Sequence, residues 1–277
     1  MAYTLAYSPC PNDTYIFGAL TNGLLADAPQ VNVHLADIEE LNDAAARGQF
    51  ELTKVSYGAI PFLMNRYRIL PTGGAVGRGC GPLLVAPPAT APPLFSDFAR
   101  KRIAIPGERT TAFMLLQLAL GTRPKTVQVR FDRIIDAVAK GEVDAGLIIH
   151  ESRFTYRDAG LIAIADLGEW WENMTLLPIP LGAVIVRDDI DAAQVRQIES
   201  AIRRSLAFAR AQEDAVMPYV REHASEMSDE VMRAHIALYV NEFSDDLGET
   251  GRNAVHALFE RARVAGILRA QTEPRFT

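Results

Sequence analysis

Through the first two thirds of the chain, short apolar runs of strand length alternate with segments in which apolar positions recur at helical spacing. Residues 5–7 read as a strand and 14–24 as a helix, its start marked by Asn12 and Asp13. A strand at 31–35 precedes a helix at 38–47 that Gly48 stops. A strand at 52–55 leads to a helix at 59–64. Such alternation predicts βαβ units around a mainly parallel sheet.

The segment 72–81 holds five glycines, and the apolar run at 83–86 follows it as a strand. Pro87, Pro88, Pro92 and Pro93 then interrupt regular structure and read as a linker. A second series begins with a strand at 102–105, a turn at Pro106-Gly107 and a helix at 111–120. It continues with a strand at 127–131, then a helix capped by Asp132, with Ile135 and Val138 on one face and Gly141 at its end. A strand at 144–149 and a strong strand at 182–186 come next. From Asp191 onward the pattern is almost purely helical, and Ser228 with Asp229 and Glu230 marks a helix start. The apolar strands on either side of the middle block suggest that the chain leaves one lobe and returns. The expected fold is α/β with two lobes and an interlobe crevice. Lobe I comprises residues 1–88 plus 183–277, and lobe II residues 89–182.

Composition narrows the function classes. The 277 residues are 49% hydrophobic and 22% charged, a balance that supports a sizeable core. The net charge of −6, with no basic run, argues against a nucleic-acid partner. Cys10 and Cys80 show no metal-ligand spacing and read as free thiols. No HExxH or His/Cys cluster suggests a metal, and no GxGxxG or Walker A pattern suggests a nucleotide cofactor. The opening Met-Ala-Tyr-Thr-Leu-Ala-Tyr lacks signal-peptide features, and no apolar run approaches the roughly 20 residues of a membrane span. The expectation is a cytoplasmic protein with a small-molecule partner, no membrane association and no cofactor.

In open α/β sheets ligands lie beyond the carboxyl ends of the strands. Here those ends carry Ser8 and Asn12, Lys54 and Ser56, Thr110 and Thr111, and His150. Hydroxyls and helix N-termini form anion sites, and Lys54 adds positive charge, so a carboxylated ligand fits. Each Ser or Thr alone is as well explained by helix capping, but their recurrence at several strand ends points to a site. His150 follows the apolar run Gly146-Leu-Ile-Ile; a lone His after a buried strand is usually a structural group, but an imidazole facing the crevice at a strand end would serve as a general base. His34 falls in a strand and His223, His235 and His256 in helices; these four read as structural or surface residues. Trp170 and Trp171 suit packing near a hinge better than ligand stacking.

Ser8-Pro-Cys-Pro-Asn-Asp-Thr, Leu52-Thr-Lys-Val-Ser-Tyr, Gly73-Gly-Ala-Val-Gly-Arg-Gly, Gly146-Leu-Ile-Ile-His-Glu-Ser-Arg-Phe-Thr-Tyr and Pro180-Leu-Gly-Ala resemble, in order, the motifs of the 1,4-dihydroxy-6-naphthoate synthase family. That family belongs to the futalosine route to menaquinone. The resemblance implies a periplasmic-binding-protein type II fold. It also implies a lyase that converts cyclic dehypoxanthinyl futalosine to 1,4-dihydroxy-6-naphthoate with loss of dihydroxyacetone. By the same resemblance His150 matches the proton acceptor, and Lys54, Val55, Ser56, Thr110 and Thr111 match substrate-binding segments. Ser8, Asn12 and Arg78 stand in shared motifs, while Arg109 is given no role. Two alternatives stay open: the chorismate dehydratase of the same pathway, and a non-catalytic anion-binding protein.

Overall fold

The computed structural model describes residues 2–90, 93–224, 228–269 and 273–277, so Pro92 of the proline cluster lies outside the described residues. The first βαβ units comprise β1 (Tyr3–Tyr7), α1 (Pro11–Thr21), β2 (Val31–Leu35), α2 (Ile38–Ala46) and β3 (Leu52–Ser56), with β1 parallel to both β2 and β3. Three short strands follow: β4 (Tyr67–Ile69), β5 (Ala75–Gly77) and β6 (Leu83–Ala86). The central block contains β7 (Arg102–Ile105), α3 (Thr111–Leu120), β8 (Lys125–Gln128), α4 (Ile134–Ala139), β9 (Ala145–Ile148), α5 (Ser152–Thr155), β10 (Ile162–Asp166) and α6 (Leu167–Thr175). The chain ends with β11 (Ile179–Arg187), α7 (Ala192–Ala211), α8 (Glu213–His223), α9 (Asp229–Tyr239), α10 (Glu242–Asp245) and α11 (Gly248–Val264).

Two sheets result. The first runs β2-β1-β3-β11-β4, with β5 also on β11, and the second runs β10-β6-β9-β7-β8. An apolar layer of α1, α7 and α8 covers the first sheet through Phe17, Ile202, Leu206 and Val216. A second cluster joins both sheets to α3, α6 and α11 through Val55, Leu84, Phe113, Leu147, Trp171 and Phe259. Burial of these side chains, at about 1.5–3 kcal/mol for each large one, holds the two sheets as neighbours.

Several elements differ from the sequence reading. Helix α1 starts at Pro11 with Cys10 as its cap residue, and Asn12 and Asp13 do not cap it. Proline suits that first position because the missing N–H would have no helical partner. The helix expected at 59–64 is only a 3-10 turn, Ile60–Phe62, because β4 begins at Tyr67 and leaves no room for more. Asp132 gives its carboxylate to Arg130 instead of capping α4, which follows a 3-10 turn at Phe131–Arg133. The strand expected at 127–131 is Lys125–Gln128. Leu83–Ala86, assigned to the first lobe, pairs antiparallel with β9 and β10 and so lies in the second sheet.

The chain therefore crosses between the sheets at 78–82 and again at 176–178. Both crossings are tied down. Arg78 donates to the Leu176 carbonyl at 2.9 Å, and Glu172 accepts from the Gly79 N–H at 2.7 Å. Trp171 is fully buried, and its indole N–H bonds the Pro178 carbonyl at 3.0 Å, a packing role beside the second crossing. Gly81 and Gly168 meet backbone to backbone, and a Cβ on Gly81 would fall on the Gly168 nitrogen. Neither backbone can yield as a flexible side chain could. Gly81→Ala is expected to cost roughly 1–3 kcal/mol, the usual penalty of overpacking. Urea unfolding checks this, and an unchanged midpoint would contradict the close approach.

Candidate active site

The carboxyl ends of β1, β3, β7 and β9 open on one cavity between the two sheets. Ser8, Asn12, Lys54, Ser56, Thr110, Thr111 and His150 all line it. Val55 does not: alternation along β3 turns its side chain the other way, into the core cluster joining the sheets. Ile38, Ala75, Ile149, Leu181 and Tyr239 supply an apolar wall. Arg78 and Trp171 are engaged at the crossings and are not among the lining residues.

On the first-sheet side a buried polar network is built around Asp13. Lys54 Nζ donates to Asp13 Oδ1 at 2.6 Å and to the Gly73 carbonyl at 2.8 Å, with both charged side chains only 3% exposed. Asn12 donates to the same carboxylate at 2.8 Å, and the Ser8 hydroxyl does so at 2.8 Å through Oδ2. The pair therefore adds no net charge to the cavity. One ammonium hydrogen of Lys54 remains for a ligand. Two charges in such surroundings are tolerable only because each is paired and hydrogen-bonded.

His150 sits just past β9 with φ 57°, in the left-handed region that few non-glycine residues adopt. A positive φ turns the chain sharply at the strand end, and the His150 carbonyl accepts from the Arg153 N–H at 3.3 Å. The ring packs edge-on against Phe131, with centroids 5.1 Å apart. Nδ1 lies 3.5 Å from Cys10 Sγ. Burial pushes the Cys10 thiol well above its ordinary value, with Glu151 adding to the effect, so the sulfur is a neutral thiol and not a nucleophile. In the tautomer that carries Nδ1–H toward that sulfur, the Nε2 lone pair is the basic site.

His235 on α9 is fully buried and lies nearly parallel to His150 at 6.3 Å. Its Nε2 bonds Asn12 Oδ1 at 3.0 Å. Asn12 spends its amide group on Asp13, so its Oδ1 accepts and His235 Nε2 donates. Burial, with a smaller effect from His150, pushes the His235 imidazole well below its ordinary value and keeps it neutral.

The second-sheet side is the start of α3. Thr110 caps it, accepting from the Phe113 N–H at 3.2 Å and donating to the Gly107 carbonyl at 2.8 Å. Thr111 donates to the Leu181 carbonyl at 2.7 Å and accepts from the Gly58 N–H at 3.0 Å, linking the two sides. The N–H groups of Thr111 and Ala112 have no partner among the described residues. With the dipole of α3 behind them they are arranged to suit an anion.

Besides Asp13 and His235, three residues of the site and its support escaped the sequence reading. Glu39 and Asn42 lie on α2. Glu39 accepts from the Arg109 N–H at 3.1 Å and from Asn42 at 2.8 Å, while Asn42 Oδ1 accepts from the Ser56 N–H at 2.9 Å. One buried acid thus fixes both the Ser56 and the Thr110 segments. Arg109 reinforces it with an ion pair to Asp43 at 2.8 Å. Burial raises the Glu39 carboxyl above the usual carboxylate range. Tyr239, from the far end of the sequence, is the third. Among the described residues no group of three or more His, Cys, Asp or Glu side chains could hold a metal, and no helix is long and apolar enough to cross a membrane.

A model of the family described as "Menaquinone biosynthesis" matches residues 3–264. The chain is 48% identical over 276 residues to a 1,4-dihydroxy-6-naphtoate synthase of Thermus thermophilus, covering 99% of both chains. A solved protein of Archaeoglobus fulgidus superposes with a TM-score of 0.90 at 36% identity, covering 96% of this chain and 98% of that one. The alkanesulfonate-binding protein SsuA of Xanthomonas axonopodis pv. citri matches with a TM-score of 0.74 at 16% identity, covering 98% of this chain and 95% of that one. At that distance the likeness is one of fold, the two-lobed periplasmic-binding-protein architecture.

Proposed function

The chain belongs to the menaquinone-biosynthesis family, and from that membership we propose that it is a 1,4-dihydroxy-6-naphthoate synthase in which His150 is the general base. Its substrate is cyclic dehypoxanthinyl futalosine, and it acts as a lyase that releases the sugar-derived fragment as dihydroxyacetone. The working compartment is the cytoplasm. The observation that supports this reading best is that His150 lines the same cavity as the α3 start and Ser8, Lys54 and Ser56.

The substrate carboxylate binds the unpartnered N–H groups of Thr111 and Ala112, where the helix dipole favours an anion. The Ser56 hydroxyl and the remaining Lys54 hydrogen meet the sugar-derived oxygens. Asp13 already neutralises Lys54, so a single carboxylate is held mainly by α3. The apolar wall of Ile38, Ile149 and Leu181 takes the ring system. Neutral His150 removes a proton, the bond to the departing fragment breaks, and aromatisation of the ring drives the sequence forward. Positioned proton transfer contributes about 10²–10⁴-fold, and closure of the lobes contributes further by orienting the substrate and excluding water. We take the working lobes to be the two sheets with their helices and the crossings at 78–82 and 176–178 as the hinge, which moves the first sequence-based boundary by one strand, β6, and the second by a few residues.

Incubation with cyclic dehypoxanthinyl futalosine is expected to yield 1,4-dihydroxy-6-naphthoate and dihydroxyacetone, identified by chromatography and mass spectrometry. Consumption of chorismate with no naphthoate formed would sink this reading in favour of the dehydratase. Binding without turnover would favour a simple anion-binding protein.

A further inference from the structure

The C-terminal helices show no chemistry in their sequence pattern, yet α9 ends in the cavity wall. Tyr239, its last residue, lines the cavity and is only 7% exposed. Its ring packs on His235 with centroids 4.6 Å apart, which fixes the phenol on the flank of the cavity that also holds His150. Several polar side chains lining the same cavity are committed within the protein. Asp13 accepts from three side chains, and the Thr110 and Thr111 hydroxyls each donate once and accept once. The Tyr239 hydroxyl, in contrast, has no hydrogen-bond partner among the described residues.

Two other buried phenols do find partners. Tyr7 bonds the Tyr219 hydroxyl at 2.6 Å, and Tyr67 donates to the Phe50 carbonyl at 2.9 Å. Tyr239 lines the cavity with its hydroxyl unpaired, so a ligand oxygen there would supply the partner that the protein does not.

We infer that Tyr239 is a substrate-contacting residue whose hydroxyl donates a hydrogen bond to an oxygen of the ring that becomes aromatic. This rests on the function proposed above. When the bond to the departing fragment breaks, its electron pair is taken up by the ring, and the ring carbonyl oxygen gains negative charge. Tyr239 binds that oxygen and keeps its own proton, while the proton removed from the substrate stays on His150. Burial, reinforced by Cys80, pushes the phenol well above its ordinary value, so it remains a donor at working pH. A donor aimed at charge that develops during the reaction lowers the barrier more than it tightens substrate binding.

The test compares Tyr239→Phe and Tyr239→Leu with the wild type, measuring kcat, KM and thermal unfolding with the cyclic substrate. Phe keeps the packing on His235 and removes only the hydroxyl. It is expected to lower kcat roughly tenfold to a hundredfold, as for one hydrogen bond to a charged oxygen, with KM within about threefold and an unchanged melting point. A Phe variant within about twofold of wild-type kcat overturns the assignment. So does a loss confined to Leu, which would mark a packing role. If the wild type itself forms no naphthoate, the proposed function fails and this assignment falls with it. An active wild type with an unaffected Phe variant removes Tyr239 alone.

Discussion

His150→Asn is expected to fold like the wild type and to lose about 10²–10⁴-fold in kcat, the contribution of one positioned general base. Asparagine is the informative replacement because of the backbone at this position. With φ at 57°, residue 150 occupies a conformation that costs most side chains about 1–2 kcal/mol but that Asn adopts readily. His150→Ala removes the base and adds that strain, so its loss mixes chemistry with misfolding at the end of β9. Asn removes the base alone. It also keeps a polar atom near Cys10 Sγ, which lies 3.5 Å from Nδ1 in the native protein. Single-turnover measurements with the cyclic substrate separate binding from chemistry. The expected signature is a large fall in the chemical step with substrate affinity little changed, because the carboxylate is held by α3 and not by the imidazole. An Asn variant with near-normal turnover and a normal melting point would remove His150 from the chemistry altogether.

What the sequence made legible follows from how local each signal is. The helix at 111–120 and the strand at 31–35 appear with the bounds read from the pattern, because capping by Thr110 and a closing Gly121 act within a few residues. Placing the polar residues at strand ends needed only the βαβ rule, and that rule brought Ser8, Asn12, Lys54, Ser56, Thr110, Thr111 and His150 to one cavity. The unread features depend on contacts between distant segments. β5 hides in a glycine-rich stretch and is a strand only because β11, about a hundred residues later, pairs with it. β6 looks like the close of the first series, but its partners β9 and β10 lie far downstream. Glu39 reads as an ordinary acid in the first turn of α2, and nothing local reveals that Arg109 will present its N–H to it. Tyr239 and His235 sit in an amphipathic helix whose apolar face is indistinguishable by period from one that packs only on core. Asp13 was read as part of a helix start, whereas its true partner is fixed by the parallel pairing of β1 with β3.

That pairing makes Asp13 a position where a single substitution should cost much stability. Asp13→Ala leaves the Lys54 ammonium 3% exposed and without its counter-charge, and it also strips acceptors from Ser8 and Asn12. Removing one partner of a buried ion pair costs about 3–5 kcal/mol, most of it the penalty of the charge left behind. Against a typical total of about 5–15 kcal/mol this is a large share. The double variant Asp13→Ala with Lys54→Met removes both charges and is expected to recover much of the loss, because an apolar pair of similar volume no longer strands an ion. Denaturant unfolding of the wild type, both single variants and the double variant gives the coupling directly, provided the slope with denaturant stays constant. The cycle also bears on the cavity. If Asp13 exists to neutralise Lys54, then Lys54→Met alone strands a carboxylate and should be nearly as damaging as Asp13→Ala. An Asp13→Ala variant that loses less than about 1 kcal/mol, the scale of an exposed pair, would mean that water reaches the pair and that the network is not the dry support of the site described above.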